Sequence, residues 1–145
     1  MKSSGVHLWL ILWKAYDAVR AHAERHIESL GLCFSDFGVL EVLLHKGPTP
    51  VNAIGSRIGL TSGSITAAVD RLQERGLVER RNDPEDHRAR VVHLTAAGRK
   101  LIASAFADHE AAMERATSGL TATERGEAAG LLKKLGLAAQ GMLEG

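Results

Sequence analysis

Residues 80–98, RRNDPEDHRARVVHLTAAG, concentrate opposite charges around one proline. The charged side chains of this segment are Arg80, Arg81, Asp83, Glu85, Asp86, Arg88 and Arg90. Guanidinium groups at the tip of a loop suit the minor groove of DNA, where negative potential is concentrated. A neighbouring carboxylate such as Asp86 would hold an arginine extended. Most charged turns are charged only because they are solvated, so the segment alone leaves both interpretations open.

The charge of the whole chain does not indicate a polyanion partner, but its distribution is informative. The 145 residues carry 18 Lys and Arg against 17 Asp and Glu. Residues 71–100 carry eight basic and five acidic side chains, whereas residues 101–145 carry four and six. The positive excess is therefore local and coincides with the charged segment.

The single cysteine and the N-terminal segment bear on the compartment. Cys33 alone excludes an intrachain disulfide and favours a reducing compartment. The apolar run from Val6 to Trp13 is too short to span a membrane, and no small-residue cleavage site follows it. We expect a cytoplasmic protein.

Hydrophobic periodicity predicts a mainly α-helical chain with the element order α-α-α-α-β-β-α-α. The first helix is predicted over residues 5–30. Ser35 is expected to cap the second helix. Thr49 is expected to cap the third, with Pro50 at its first helical position. Thr61 is expected to cap the fourth helix, which runs over residues 62–75.

The hydrophobic period then changes from helical to alternating. LVERR and ARVVHL are predicted to be two short strands, joined by the turn NDPEDHR. Thr95 is expected to cap the next helix, and Thr121 with Glu124 offers a capping box for the last one. Two short helices followed by a hairpin are typical of a winged helix-turn-helix with a small β wing of two or three strands.

Two stretches of the chain resemble the MarR family of transcriptional regulators. They are SDFGVLEVLLHKGP and SGSITAAVDRLQERGLVERRNDPEDHRARVVHLTAAGRKL. The second contains D-x-R at Asp86 and Arg88, followed by L-T-x-x-G at residues 94–98. His87 departs from the pattern, since many relatives have an arginine there, and it makes the charge of the wing partly dependent on pH.

The resemblance implies which residues contact DNA. Arg88 is the expected minor-groove residue, and Asp86 is its support. Arg71 is expected to contact phosphate or to brace the wing, and Arg90 to contact phosphate or brace the hairpin. The contacts expected from the helix that enters the major groove come from Ser62, Ser64 and Thr66. An ordinary solvated helix face is the alternative for this helix.

The resemblance also implies a homodimer. Residues 1–30 and 100–145 are expected to form dimerisation helices around a DNA-binding lobe of residues 31–99, within one compact chain. Two recognition helices would then read a pseudo-palindrome in double-stranded DNA with half-sites about 10 bp apart. Packing of these helices on their own chain is the alternative.

Effector binding is a further expectation from the family. The aromatic candidates to line an effector pocket are Trp9, Trp13, Tyr16 and Phe37, although each of them could equally fill a core or an interface. Cys33 precedes a helix whose N-terminus favours a thiolate, which makes it a redox candidate, while burial would make it inert. His22 and His26 are four residues apart without an obvious third ligand, so we expect no metal and no cofactor.

We therefore expect a sequence-specific DNA-binding regulator that acts as a repressor until a small-molecule effector or an oxidant releases it. The alternative is a winged helix that contacts other proteins without reading DNA. An enzyme is not expected, because the sequence has no phosphate-binding glycine loop, no nucleophile elbow and no framed pair of carboxylates.

Overall fold

The computed structural model describes residues 4–86 and 90–145. In chain order the described elements are α1 Gly5–Ser29, α2 Phe34–Lys46, β1 Thr49–Pro50, α3 Val51–Ile58, α4 Ser62–Glu74, β2 Val78–Asn82, β3 Arg90–Leu94, α5 Ala96–Ala116 and α6 Ala122–Glu144. The predicted fold class, mainly helical with a small β wing, is confirmed.

The three strands form one antiparallel sheet in the order β1-β3-β2. The strand β1 was not predicted, because its two residues were expected to begin the third helix. Thr49 pairs with Val92 and Pro50 with Val91, so Thr49 is a strand residue and Pro50 is the N-cap of α3. The cap predicted at Thr49 is therefore wrong, because pairing with β3 holds this segment extended.

Three of the predicted helix caps are confirmed. Thr61, Thr95 and Thr121 each accept a hydrogen bond from the backbone amide three residues further on. At the start of α6 the capping box is complete. The hydrogen bond from the Thr121 amide lowers the pKa of Glu124. These local interactions fix where α4, α5 and α6 begin.

The cap predicted for the second helix is wrong by two residues. Cys33 is the N-cap of α2, and the Phe37 amide donates to the Cys33 carbonyl at 3.0 Å. Ser35 consequently lies in the first helical turn. Its hydroxyl accepts from Arg71 of α4 instead of capping the helix.

The core lies between α2, α3, α4, the sheet and one side of α5. Its fully buried large side chains are Ile27, Val39, Leu40, Leu43, Ile54, Ile65, Val69, Leu72, Val78, Val92 and Ile102. α1 contributes buried residues only near its C-terminal end, at Ala23 and Ile27. Within the described part of the chain, α6 contributes none. The helices at the two ends of the chain therefore leave apolar surface uncovered.

Among the described residues, no helix is long and apolar enough to cross a membrane.

Candidate nucleic-acid interface

α4 is the second helix of a helix-turn-helix unit. It follows α3 after Gly59, Leu60 and Thr61. Gly59 has a φ of 71°, a left-handed conformation that glycine adopts without strain. The Thr61 hydroxyl then accepts a hydrogen bond from the Ser64 amide at 3.2 Å. The chain therefore turns between the two helices within three residues.

α4 has one buried face and one exposed face. Its large buried side chains, each at most 1% exposed, are Ile65, Val69 and Leu72. Ser62, Ser64 and Thr66, the expected DNA contacts of this helix, are all exposed. The Thr66 hydroxyl donates to the Ser62 carbonyl at 2.8 Å, and its oxygen can still accept a hydrogen bond. Small hydroxyl residues at the beginning of a helix allow its backbone to approach base edges and phosphates closely.

The wing is the hairpin of β2 and β3. Its register runs from Val78 opposite Leu94 to Asn82 opposite Arg90, and the structure describes residues 83–86 of the turn that follows β2. Within the turn, the Glu85 amide donates to the Asp83 carboxylate at 2.9 Å, a local interaction that favours turns. Asp86 is exposed near the tip. Arg88, the predicted minor-groove residue, lies outside the described residues, as does His87.

A shallow groove of about 420 Å³ runs between α4 and the wing. It is lined by Pro50, Val51, Asn52, Ser62, Ile65, Thr66, Arg80 and Arg90. Three of the predicted contact residues, Ser62, Thr66 and Arg90, therefore meet in one groove. Hydroxyl acceptors and donors on one wall and guanidinium groups on the other are suited to a sugar–phosphate backbone.

Arg80 braces the wing against α4. One guanidinium nitrogen lies 2.6 Å from the Asp70 carboxylate, and the other donates to the Gln73 side chain at 2.7 Å. The Arg80 side chain is only 16% exposed, whereas that of Asp70 is 58% exposed. Sequence reasoning missed this role because it depends on a contact between two elements.

Arg71 reaches away from the wing, toward α2. It binds the Asp36 carboxylate through two nitrogens, at 2.8 and 3.3 Å, and this interaction raises the pKa of the guanidinium. It also donates to the Ser35 hydroxyl at 3.3 Å and to the Cys33 sulfur at 3.8 Å. Arg80 thus braces the wing, whereas Arg71 joins α4 to α2. The phosphate contact that was the other expectation for Arg71 stays a prediction.

A second, deeper cleft of about 600 Å³ lies where α1, α2 and α5 meet. It is lined by Arg20, Ala23, Ile27, Cys33, Phe34, Ser35, Phe37, Gly38, Glu41, Val42, Ile58, Leu60 and His109. The Arg20 guanidinium lies over the Phe34 ring, 4.7 Å from its centroid. The size of this cleft and its mostly apolar lining are those of a site for a small organic molecule.

The structure separates the four aromatic residues predicted to share an effector pocket. Phe37 lines the cleft, where its ring centroid lies 4.9 Å from that of His109. Trp9 instead lines a groove between α1 and α6 and stacks on Trp13 at 6.0 Å. Tyr16 is exposed on α1, and its hydroxyl accepts from Arg20. α1 is longer than the cleft, so its first turns extend past it.

The comparisons with known proteins agree with this geometry. A model of the MarR family matches residues 30–89. The chain is 36% identical over 140 residues to the HTH-type transcriptional regulator MhqR of Bacillus subtilis (strain 168), and the alignment covers 97% of each chain. The chain belongs to the MarR family.

Solved structures of other regulators have a similar fold. A probable transcriptional regulator from Pseudomonas aeruginosa is 31% identical, with a TM-score of 0.77 over 87% of this chain and 94% of that one. BpsR from Bordetella bronchiseptica, whose DNA binding is regulated by 6-hydroxynicotinic acid, is 26% identical, with a TM-score of 0.79 over 94% and 95%. MarR membership supports a DNA-binding transcriptional regulator over a winged helix that only contacts proteins.

In this MarR-family chain, Cys33 is exposed and lies at the edge of the cleft. Its sulfur lies 3.3 Å from the Ser35 hydroxyl. In the single chain Cys33 is therefore not the buried, packed cysteine that was the alternative interpretation of the sequence. Whether Cys33 reacts with oxidants stays a prediction.

A histidine pair beside the cleft was missed by sequence reasoning. His26 of α1 and His109 of α5 approach each other with their Nδ1 atoms 3.4 Å apart. Partial burial, together with the proximity of His26, lowers the pKa of His109. Helical spacing suggested only His22 as a partner for His26, because the true partner is 83 residues away. Across residues 4–86 and 90–145, no three potential ligands are grouped to hold a metal ion.

Proposed function

We propose that this MarR-family protein is a homodimer that binds a pseudo-palindromic operator in double-stranded DNA and represses transcription until an effector releases it. The observation that carries the proposal is the groove in which Ser62 and Thr66 of α4 face Arg80 and Arg90 of the wing. A phosphate backbone in this groove would receive hydrogen bonds from both sides and bring α4 to the major groove. Arg88 would extend the contact into the minor groove.

Uncovered apolar surface at both ends of the chain supports the dimer. The large exposed apolar residues of α1 and α6 are Val6, Leu8, Trp9, Leu10, Ile11, Trp13, Tyr16, Leu131, Leu132, Leu135, Leu137, Met142 and Leu143. Monomers rarely expose so much apolar surface, and a second copy of the same helices is the simplest complementary partner. Residues 1–30 and 100–145 would form the dimerisation helices, and residues 31–99 the DNA-binding lobe.

The cleft supports regulation by a small molecule. It adjoins α1 and α5 on one side and α2 of the DNA-binding lobe on the other. A ligand wedged there would change the separation of two DNA-binding lobes, and a separation that no longer matches the DNA repeat loses affinity. Ligand regulation of the similar BpsR supports this part of the proposal. An oxidant that modifies the exposed Cys33 at the same cleft would change the separation of the two lobes in the same way.

Footprinting on genomic DNA tests the proposal. The purified protein should protect two sites on one face of the duplex, with centres about 10 bp apart. Arg88→Ala should abolish the footprint at protein concentrations where wild type gives full protection. Arg125→Ala is the matched control, because it removes the same charge from α6, away from the groove. Uniform, unsymmetrical or absent protection by the wild-type protein would contradict the proposal.

A further inference from the structure

The recognition helix α4 is attached to the α1–α2 segment by polar contacts whose residues do not line the groove between α4 and the wing. Arg71 and Arg75 are one helical turn apart and both reach the α1–α2 junction, which we define as residues 30–36. Arg75 donates to the Gly31 carbonyl at 3.2 Å. Arg71 binds Asp36 with both a short and a longer hydrogen bond, at 2.8 and 3.3 Å. α4 is therefore joined to the junction at two successive turns.

Asp36 is an unusual residue in this core. Only Asp36 and Thr49 are buried polar residues within the described part of the chain, and Asp36 is 5% exposed. A buried carboxylate is unfavourable unless it is paired. Arg71 supplies the opposite charge, and the N-terminus of α2 adds a favourable dipole, since Asp36 lies in its first turn. The carboxylate is thus held on α2 and directed at α4.

The apolar contacts of α4 do not fix its orientation as the pair of Arg71 and Asp36 does. Ile65, Val69 and Leu72 pack through apolar surface, which is strong but not directional. A guanidinium that binds a carboxylate through two nitrogens fixes both distance and orientation. On the wing side, Asp70 pairs with Arg80. The adjacent residues 70 and 71 therefore fix the rotation of α4 about its axis from two directions.

We propose that Asp36 is a positioning residue for DNA binding, which acts through Arg71 to set the orientation at which α4 presents Ser62, Ser64 and Thr66. The inference rests on the proposed function of α4 as the recognition helix. It assigns Arg71 a structural contact in place of the phosphate contact that its half-exposed side chain would otherwise suggest.

Operator affinity across a range of salt concentrations separates these two roles of Arg71. If the pair positions α4, Asp36→Asn and Arg71→Gln should each weaken binding roughly tenfold. The double variant should be no weaker than either single one, since both remove the same interaction. The slope of log affinity against log salt should stay at the wild-type value. If Arg71 contacts phosphate, Arg71→Gln should reduce that slope by about 0.9 per contact while Asp36→Asn leaves it unchanged.

Arg71→Lys gives a second test that does not depend on the stability of the Asp36 variant. Lysine keeps the positive charge but cannot bind a carboxylate through two planar donors. It should lose affinity as Arg71→Gln does, and wild-type affinity in Arg71→Lys would overturn the inference. Circular dichroism melting identifies any variant that fails to fold, and Arg71→Lys keeps a positive charge beside the buried Asp36 carboxylate.

The wild-type titration separates failure of the inference from failure of the proposed function. If the wild-type protein binds no duplex, the proposed function fails and the inference fails with it. If it binds with the expected salt dependence but the two single substitutions add in the double variant, only the inference is overturned.

Discussion

Arg80 of β2 and Asp70 of α4 form an ion pair of 2.6 Å that joins the wing to the recognition helix. The pair lies beside the groove in which Arg80 itself meets Ser62, Thr66 and Arg90. The two DNA-contacting elements of the lobe are therefore held as one unit before DNA arrives. Preorganisation of this kind favours binding because less motion has to be lost in the complex.

Arg80→Gln should separate the wing from α4. We expect operator affinity to fall about tenfold. The free energy of unfolding should fall by only about 1 kcal/mol, because the Asp70 side chain is mostly in water. Fluorescence anisotropy and urea unfolding measure the two quantities. Arg81→Gln is the control, since Arg81 pairs with Glu79 of its own strand. Equal losses in both variants would indicate that charge, and not bracing, matters.

The glycine of the L-T-x-x-G motif has a packing role. A Cβ atom at Gly98 would lie 1.9 Å from the Leu77 carbonyl oxygen, a distance that no neighbouring backbone can accommodate without moving. The same junction is fixed by the Thr95 hydroxyl, which donates to the Gly76 carbonyl at 2.6 Å. α5 must therefore approach the end of α4 and the start of the wing at this point.

Gly98→Ala should consequently destabilise the protein by more than about 2 kcal/mol, measured by urea unfolding. Gly126→Ala is the matched control in α6, where an added Cβ meets nothing within 4 Å. It should leave stability unchanged or raise it by up to about 1 kcal/mol. A Gly98→Ala protein as stable as wild type would show that the close approach is not tight in solution.

The histidine pair predicts a pH dependence of stability. Burial and the proximity of His26 lower the pKa of His109, so the unfolded chain binds this proton more readily than the folded chain. The other groups around His109 are Phe37 and Glu41 of α2 and Phe106 of α5, and Glu41 partly opposes the shift. The unfolded chain binds more protons than the folded chain once the pH falls to about 6.5, the ordinary pKa of histidine. Stability should therefore fall as the pH is lowered through this window.

Urea unfolding at a series of pH values checks this expectation. His109→Asn should flatten the dependence between about pH 7 and pH 5, a window around the ordinary histidine pKa. His22→Asn, an exposed histidine of the same helix as His26, should leave it intact. An unchanged slope in His109→Asn would assign the dependence to another group.

The exposed apolar face of α6 predicts a dimer that charge can disrupt. Leu132 and Leu135 line the groove between α6 and α1, and no residue of α6 is buried within the described chain. Light scattering should give the wild-type protein twice the chain mass of 15.5 kDa. Leu132→Glu combined with Leu135→Glu should give the monomer mass and weaken operator binding. Lys133→Glu, on a different side of α6, should stay dimeric. A monomeric wild-type protein would contradict the proposed assembly.

Features with local causes were predictable from the sequence. Thr61, Thr95 and Thr121 cap helices through amides three residues away, and such spacing can be recognised in the chain itself. The helical periodicity and the two strands of the wing were equally local. The family resemblance supplied the expected DNA contacts, of which Ser62, Thr66 and Arg90 meet in one groove.

Features that depend on distant partners were not predictable. Thr49 became a strand residue because Val92 pairs with it. Arg71 was expected to contact phosphate or to brace the wing because nothing near it in sequence points to Asp36. The pairing of His26 with His109 spans 83 residues. In each case residues that are far apart in the chain decide the contact, and periodicity carries no information about them.

Salt dependence of operator binding by the wild-type protein tests the central claim most directly. If two lobes bind phosphates through the groove and the wing, log affinity should fall linearly with log salt between about 50 and about 200 mM, with a slope of about −0.9 for each neutralised phosphate. Arg88→Ala should make that slope shallower. A flat line for the wild-type protein would contradict the account, because the guanidinium groups of the wing would then have no phosphate partners.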